Sequence, residues 1–194
     1  MSQKTGIQRI VVGVDFSAYS KIVFEQARNL AKKLHCRLEV VHSPQIVLSP
    51  DPMIISPFLP DGDDEKYKKR IQKKYFAKGV TYPIKIGRGL PGECLIKESL
   101  VPNTLLVVGH RGHSPWSRFW FGSVSEKVAL FAKCPVWVHR GNHTFAPKNI
   151  LVPHDGSTNA QNALEWTKNS FRNVNKNIEV LYVHPEVFPL MDVG

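Results

Sequence analysis

Hydrophobic positions change period along this chain. Residues 9–14 (RIVVGV) form a β-branched run that stops at Asp15-Phe16-Ser17, after which apolar side chains return at Val23, Ala27, Leu30 and Leu34 with helical spacing. That change predicts a strand, a turn and a helix. A second apolar run at 38–42 completes a β-α-β unit, expected to be parallel with a right-handed crossover.

The same reading continues beyond it. Residues 43–62 are dense in proline and have neither period, so they predict a long surface excursion. Residues 63–78 predict a helix with acidic residues in its first turn and lysines towards its end, as the helix dipole prefers; its basic face is expected to be solvated. Residues 80–86 predict a third strand, and Pro83 within it points to the sheet edge, where a missing N–H costs least. Pro91 opens a helix running to about Leu100. Residues 105–108 are apolar throughout, as a central parallel strand covered on both faces requires. A helix over 123–132, with Val124, Val128 and Phe131 on one face, and a strand at 135–139 complete an α/β domain.

A repeat follows. After a turn-rich stretch at 141–148, residues 150–155 and Ser157 reproduce the pattern of Ile10 to Asp15 and Ser17, 140 residues on. Helical spacing of Ala160, Ala163, Leu164 and Phe171 leads to a strand at 178–184 that matches 38–42. The chain therefore divides into a complete domain at 1–140, a linker at 141–148 and a truncated second repeat of β-α-β form at 149–194. A half-sheet of this kind exposes an edge and an apolar face, and is expected to pack on something.

Composition narrows the class. Hydrophobic residues at 42% and charged residues at 22% suit a folded core, and no apolar run approaches the roughly 20 residues that span a bilayer. With no long apolar stretch near the start, the expected compartment is the cytoplasm. Cys36, Cys94 and Cys134 lack a CxxC pair and read as reduced, mostly buried thiols. His110 and His113 flank a glycine in a loop without a completing cysteine or carboxylate, which argues against a metal site. The formal charge of +10 favours anionic partners without naming one.

The candidate chemistry lies at 109–123. Gly109-His110-Arg111-Gly112, nine further residues and Gly122-Ser123 stand between the buried strand and the next helix. Open α/β sheets bind ligands beyond the carboxyl ends of their strands, and a helix N-terminus offers free N–H groups to phosphate. Ser123 with Glu126 also fits a capping box, which closes the helix end and nothing more. Neither G-x-G-x-x-G after the first strand nor G-x-x-x-x-G-K-[ST] is present. Arg118, inside the nine-residue insertion, reads either as a countercharge for a terminal phosphate or as a solvated side chain.

Asp15 after the first strand, His42 ending the second and G-x2-G-x9-G-S at 109–123 resemble the universal stress protein family. The resemblance implies a five-stranded parallel sheet in the order 3-2-1-4-5 with helices on both faces, like the adenine-nucleotide alpha-hydrolases, followed here by the β-α-β half-repeat. It implies the ATP-binding type, with Asp15 near ribose, phosphates or the Mg²⁺ that the nucleotide carries. Ser43 would meet the adenine, and Gly109, Gly112, Gly122, Ser123 and Val124 would hold ribose and phosphates. Thr104 and Ser43-Pro44 depart from the family pattern. Asp15 has a second reading as a cap of the first helix, and Asp155, its counterpart, is read as structural.

The implied function is a regulatory, stress-response ATP-binding module. No general base is evident, so enzymatic activity beyond a weak ATPase stays open. An adenylating enzyme would need an early SGG-type loop, which the sequence lacks. A nucleic-acid or protein-partner module using Lys66 to Lys78, with a vestigial nucleotide site, is the remaining alternative. The family often pairs along its fifth strand, here Val136-Trp137-Val138, and a homodimer is expected.

Overall fold

The apolar runs become parallel strands in a computed structural model that describes residues 6–44, 64–110, 122–144, 146–172 and 176–182. The described residues form two compact units, one within 6–146 and one within 147–182. The first contains β1 (Arg9–Gly13), α1 (Ala18–Leu34), β2 (Arg37–His42), α2 (Asp64–Tyr75), β3 (Ile84–Ile86), α3 (Pro91–Glu98), β4 (Thr104–Gly109), α4 (Ser123–Phe131) and β5 (Val136–His139). Its five strands lie in the order β3-β2-β1-β4-β5, and every neighbouring pair is parallel.

Burial explains this order. Ile10, Val11 and Val12 of β1 and Leu106 and Val107 of β4 are wholly buried, so the two most apolar strands take the centre, in the register Ile10↔Leu105. Each such side chain contributes about 1.5–3 kcal/mol when removed from water. Helix α1 lays Val23, Phe24, Ala27 and Leu30 on one face, while Leu95, Val128, Val11 and Val41 form a core cluster with Cys94, Leu106 and Val108 on the other. Ser17 caps α1, its side chain accepting from Ser20 N–H, and His35 ends the helix in the left-handed region at φ 51°.

At the amino ends of the strands, Arg9 is buried and its guanidinium reaches Glu39 at 2.7 Å, Glu98, and Thr104 Oγ1 at 3.4 Å. The hydrogen bond from Arg9 holds the Glu39 carboxyl below the usual carboxylate range. Thr104 thus serves a structural contact far from the opposite, carboxyl ends.

Several expected boundaries shift. The third strand begins at Ile84 rather than 80, because Pro83 has no N–H for the ladder; its carbonyl still accepts from Val40 N–H at 2.9 Å, and β3 is an edge strand. The helix expected to reach 78 ends at Tyr75. On α4, Val128 is buried and Val124 packs against the core, but Phe131 is exposed. The three cysteines are free, with only Cys94 fully buried; burial pushes the Cys36 thiol up to about 11. The excursion at 45–62 lies outside the described residues.

The second unit contains β6 (Asn149–His154), α5 (Thr158–Ser170) and β7 (Asn177–Tyr182), the strands paired in parallel. Val152, Leu164 and Phe171 are buried, whereas Leu151, Val180, Leu181 and Tyr182 are exposed. Asn177 N–H bonds the Lys148 carbonyl, so even-numbered residues of β6 face β7 and Pro153 turns towards the open edge. Among the described residues, no helix of the chain is long and apolar enough to cross a membrane.

Two side chains at the carboxyl ends give a pH prediction. His42 and His139 are buried, and burial pushes both imidazoles below their ordinary range; for His42 a bond to the Val14 carbonyl and nearby Asp15 oppose the shift, while Arg70 adds to it. The native state holds them neutral while the unfolded chain takes up protons first, so their contribution is full above about pH 6.5 and lost as pH falls. Melting temperature should therefore drop between pH 7.5 and 5, and His42→Asn should flatten part of that slope. A second prediction concerns Gly109, where an added Cβ would sit 3.0 Å from Tyr19 Cε1 and 3.1 Å from Val23 Cγ2. Gly109→Ala should cost about 1–3 kcal/mol in ligand-free denaturant unfolding, through overpacking alone.

Candidate functional site

Because β1 and β4 are neighbours whose connections leave on opposite sides, the chain ends of both strands diverge and open a crevice. A cleft of about 490 Å³ lies there. Asp15, Ser43, Gly109, Gly122, Ser123 and Val124 all line it, although they come from four separate segments of sequence. Gly112 and Arg118 fall outside the described residues.

Asp15 closes the first turn: its Oδ1 accepts from Ser17 N–H at 2.9 Å, and Ser17 then caps α1. Asp155 and Ser157 form the same bond at the same length ahead of α5. Neither aspartate is itself the cap, which is Ser17 or Ser157; each instead holds the turn ahead of the capping serine, and Asp15 also stands on the cleft wall.

The turn residue between them differs. Gly156 takes φ 84°, where glycine has no steric penalty; Phe16 takes φ 63°, which costs a side-chain-bearing residue roughly 1–2 kcal/mol. Helix α2 holds Phe16 in that state. Phe16 N–H donates to Tyr75 Oη at 3.0 Å, Tyr75 Oη meets Ser20 Oγ at 2.6 Å, and Ser20 Oγ donates to the Ser17 carbonyl at 3.1 Å. Lys74 Nζ bonds the Phe16 carbonyl. The Phe16 ring packs edge-on against His42, with centroids 4.5 Å apart.

Helix α4 starts differently from the capping-box expectation. Gly122 is the N-cap, extended at φ −64° and ψ 144°, and makes no side-chain cap; Ser123 is already the first helical residue. The Gly122 N–H is committed to the His110 carbonyl at 2.7 Å, which pulls the cap one residue earlier. Ser123 and Val124 thereby sit in the first turn, where N–H groups lack intrahelical partners and face the cleft.

Ser43 reaches the cleft from the end of β2, its Oγ donating to the Gly89 carbonyl at 2.7 Å. His42 Nδ1 donates to the Val14 carbonyl at 2.8 Å, a packing role in keeping with its neutral state. On the other flank, Tyr19 Oη lies 2.8 Å from His110 Nδ1 and donates to the His139 carbonyl at 2.9 Å, tying α1 to the ends of β4 and β5. Among the described residues, no three His, Cys, Asp or Glu side chains gather as a metal site.

Phe16, Tyr19, Tyr67 and Arg70 also line the cleft and were not foreseen. The basic face of α2, expected to be solvated, is so only in part: Arg70 lies over the Phe16 ring with its Cζ 4.1 Å from the centroid. A signal existed, since Tyr67, Arg70 and Lys74 recur at helical i, i+3, i+7 spacing and mark one face.

The universal stress protein family model matches residues 6–140 and again 147–193. A relative from Bacillus subtilis (strain 168), the universal stress protein YxiE, is 25% identical over 145 residues, covering 68% of this chain and 98% of its own. The universal stress protein UspA from Lactobacillus plantarum superposes with TM-score 0.56 at 22% identity, over 70% of this chain and 99% of that one. A universal stress protein from Archaeoglobus fulgidus DSM 4304 superposes with TM-score 0.61 at 20% identity, over 92% of this chain and 67% of the other. Those two likenesses agree with the strand order β3-β2-β1-β4-β5. With a family model covering most of its length in two successive matches, this chain belongs to the universal stress protein family.

Proposed function

We infer that the cleft of the first unit binds ATP, and that the protein is a regulatory stress-response module rather than a dedicated enzyme. The observation that supports this most is the convergence of Asp15, Ser43, Gly109, Gly122, Ser123 and Val124 on one cleft beside the first turn of α4. Free N–H groups and a partial positive charge at such a turn suit phosphate oxygens. In this reading Ser43 meets the adenine, Asp15 faces the ribose or the Mg²⁺ that arrives with the nucleotide, and Gly112 and Arg118 complete the phosphate contacts. A carboxylate oxygen is the hard donor that Mg²⁺ prefers. Hydrolysis is at most slow, since Asp15 already accepts from Ser17 N–H and is better suited to a metal or hydroxyl than to activating water.

The domain division at 1–140, 141–148 and 149–194 belongs to this reading, with the single nucleotide site in the first domain. The protein is taken to act in the cytoplasm as a homodimer. Leu130 and Phe131, exposed on α4, and β5, an open edge of its sheet, supply apolar surface and unpaired backbone for the pairing.

Calorimetry with ATP, ADP, AMP and NADH tests the site. Wild type should bind ATP in preference to NADH, and Gly122→Val should weaken ATP at least about tenfold, or roughly 1.4 kcal/mol. Valine is poorer than glycine at an N-cap, so a fall of a few degrees in melting temperature is expected while far-UV circular dichroism stays native and separates loss of the site from loss of the fold. No ATP binding by the wild-type chain would defeat the reading. Light scattering at micromolar concentration should return twice the chain mass, and a monomeric mass would remove the homodimer.

A further inference from the structure

We propose that Arg70, carried on the strained Phe16 ring, is the countercharge for the phosphates of a nucleotide in the first-unit cleft. This rests on the nucleotide reading and adds to it a residue outside the glycine loop, on a helix that the loop does not touch in sequence.

The chain contains its own control for the role of Phe16. Asp15-Phe16-Ser17 and Asp155-Gly156-Ser157 build the same turn, with the same Asp-to-Ser bond and the same serine cap, ahead of equivalent helices. Glycine suffices for that turn in the second copy, at φ 84°. The first copy carries a phenyl ring at φ 63° despite the steric cost, and invests Tyr75, Lys74 and Ser20 in holding it. The ring is therefore retained for what it supports. It leans on His42 on one side and lies under Arg70 on the other.

Arg70 is placed as a ligand residue would be. Its side chain lines the cleft, yet among the described residues no carboxylate lies within ion-pair distance of it and no hydrogen bond engages it. A guanidinium held over an aromatic ring can still present N–H groups to phosphate, and one already placed there loses less freedom on binding. Among the described lining residues Arg70 is the one lysine or arginine, so it is the cation there. Tyr67, one turn before it on α2, packs against His42 with centroids 5.4 Å apart and fixes the helix beside the cleft.

Affinities for adenosine, AMP and ATP, measured by calorimetry on wild type, Arg70→Gln, Arg70→Lys and Phe16→Gly, test this. Arg70 is exposed, so its variants should melt within about 2 °C of wild type. The expected result is that Arg70→Gln weakens AMP and ATP about tenfold or more while adenosine changes less than about twofold. Arg70→Lys should recover part of that loss, and Phe16→Gly, which restores the residue of the second copy, should weaken the phosphorylated ligands several-fold although the charge remains. Wild-type affinity for AMP and ATP in Arg70→Gln overturns the proposal and leaves nucleotide binding intact. Equal losses for adenosine and ATP overturn it as well, since the contact would then not be to phosphate. Failure of wild type to bind any of the three removes the nucleotide reading, and this proposal falls with it.

Discussion

Everything at the candidate site depends on the parallel pairing of β1 with β4, two strands separated in sequence by three helices and two other strands. Their backbones satisfy each other in a fully buried setting, where an unpaired N–H or C=O would be expensive. No neighbour less apolar could take either place. Once they are adjacent, the chain must leave β1 towards one side and β4 towards the other, and the gap between these departures is the cleft. Arg9, locked to Glu39, Glu98 and Thr104, fastens the closed end of the same sheet, so opening is confined to the carboxyl ends.

Much of this was legible in the sequence because it follows from local chemistry. The apolar runs from Ile10 to Val12 and from Leu105 to Val108 suit covered strands, and Pro83 excludes a central place for the strand beside it. Asp-x-Ser ahead of an apolar helical stripe specifies a capped helix, and both copies form one. Asp15, Ser43, Gly109 and the start of α4 line one cleft, a grouping that only the family resemblance suggests in advance, since residues as far apart as 15 and 124 share no local signal.

The misses have a common cause: tertiary contacts that a linear pattern does not contain. Ser123 with Glu126 spells a capping box, but the bond from Gly122 N–H to the His110 carbonyl moves the cap back by one residue. Arg70 reads as one more cation on a basic helix until α2 is docked beside Phe16. Phe131 fits the apolar stripe of α4, yet the helix is too short and too near the sheet edge to bury it. In each case the local rule was sound and a longer-range contact overrode it.

The two glycines of the motif that the structure describes are held by different forces, and this bears on how the motif would change over many generations. Gly109 is pinned from beneath by Tyr19 and Val23, so selection for folding alone would preserve it in a descendant that no longer met a ligand. Gly122 has an extended backbone at the α4 N-cap, where serine, threonine, asparagine or aspartate would serve the helix as well, and it would drift among these once binding ceased. A lineage that gave up its nucleotide would therefore keep half of the signature as a relic of its packing, with Gly122 the more telling mark of a living site.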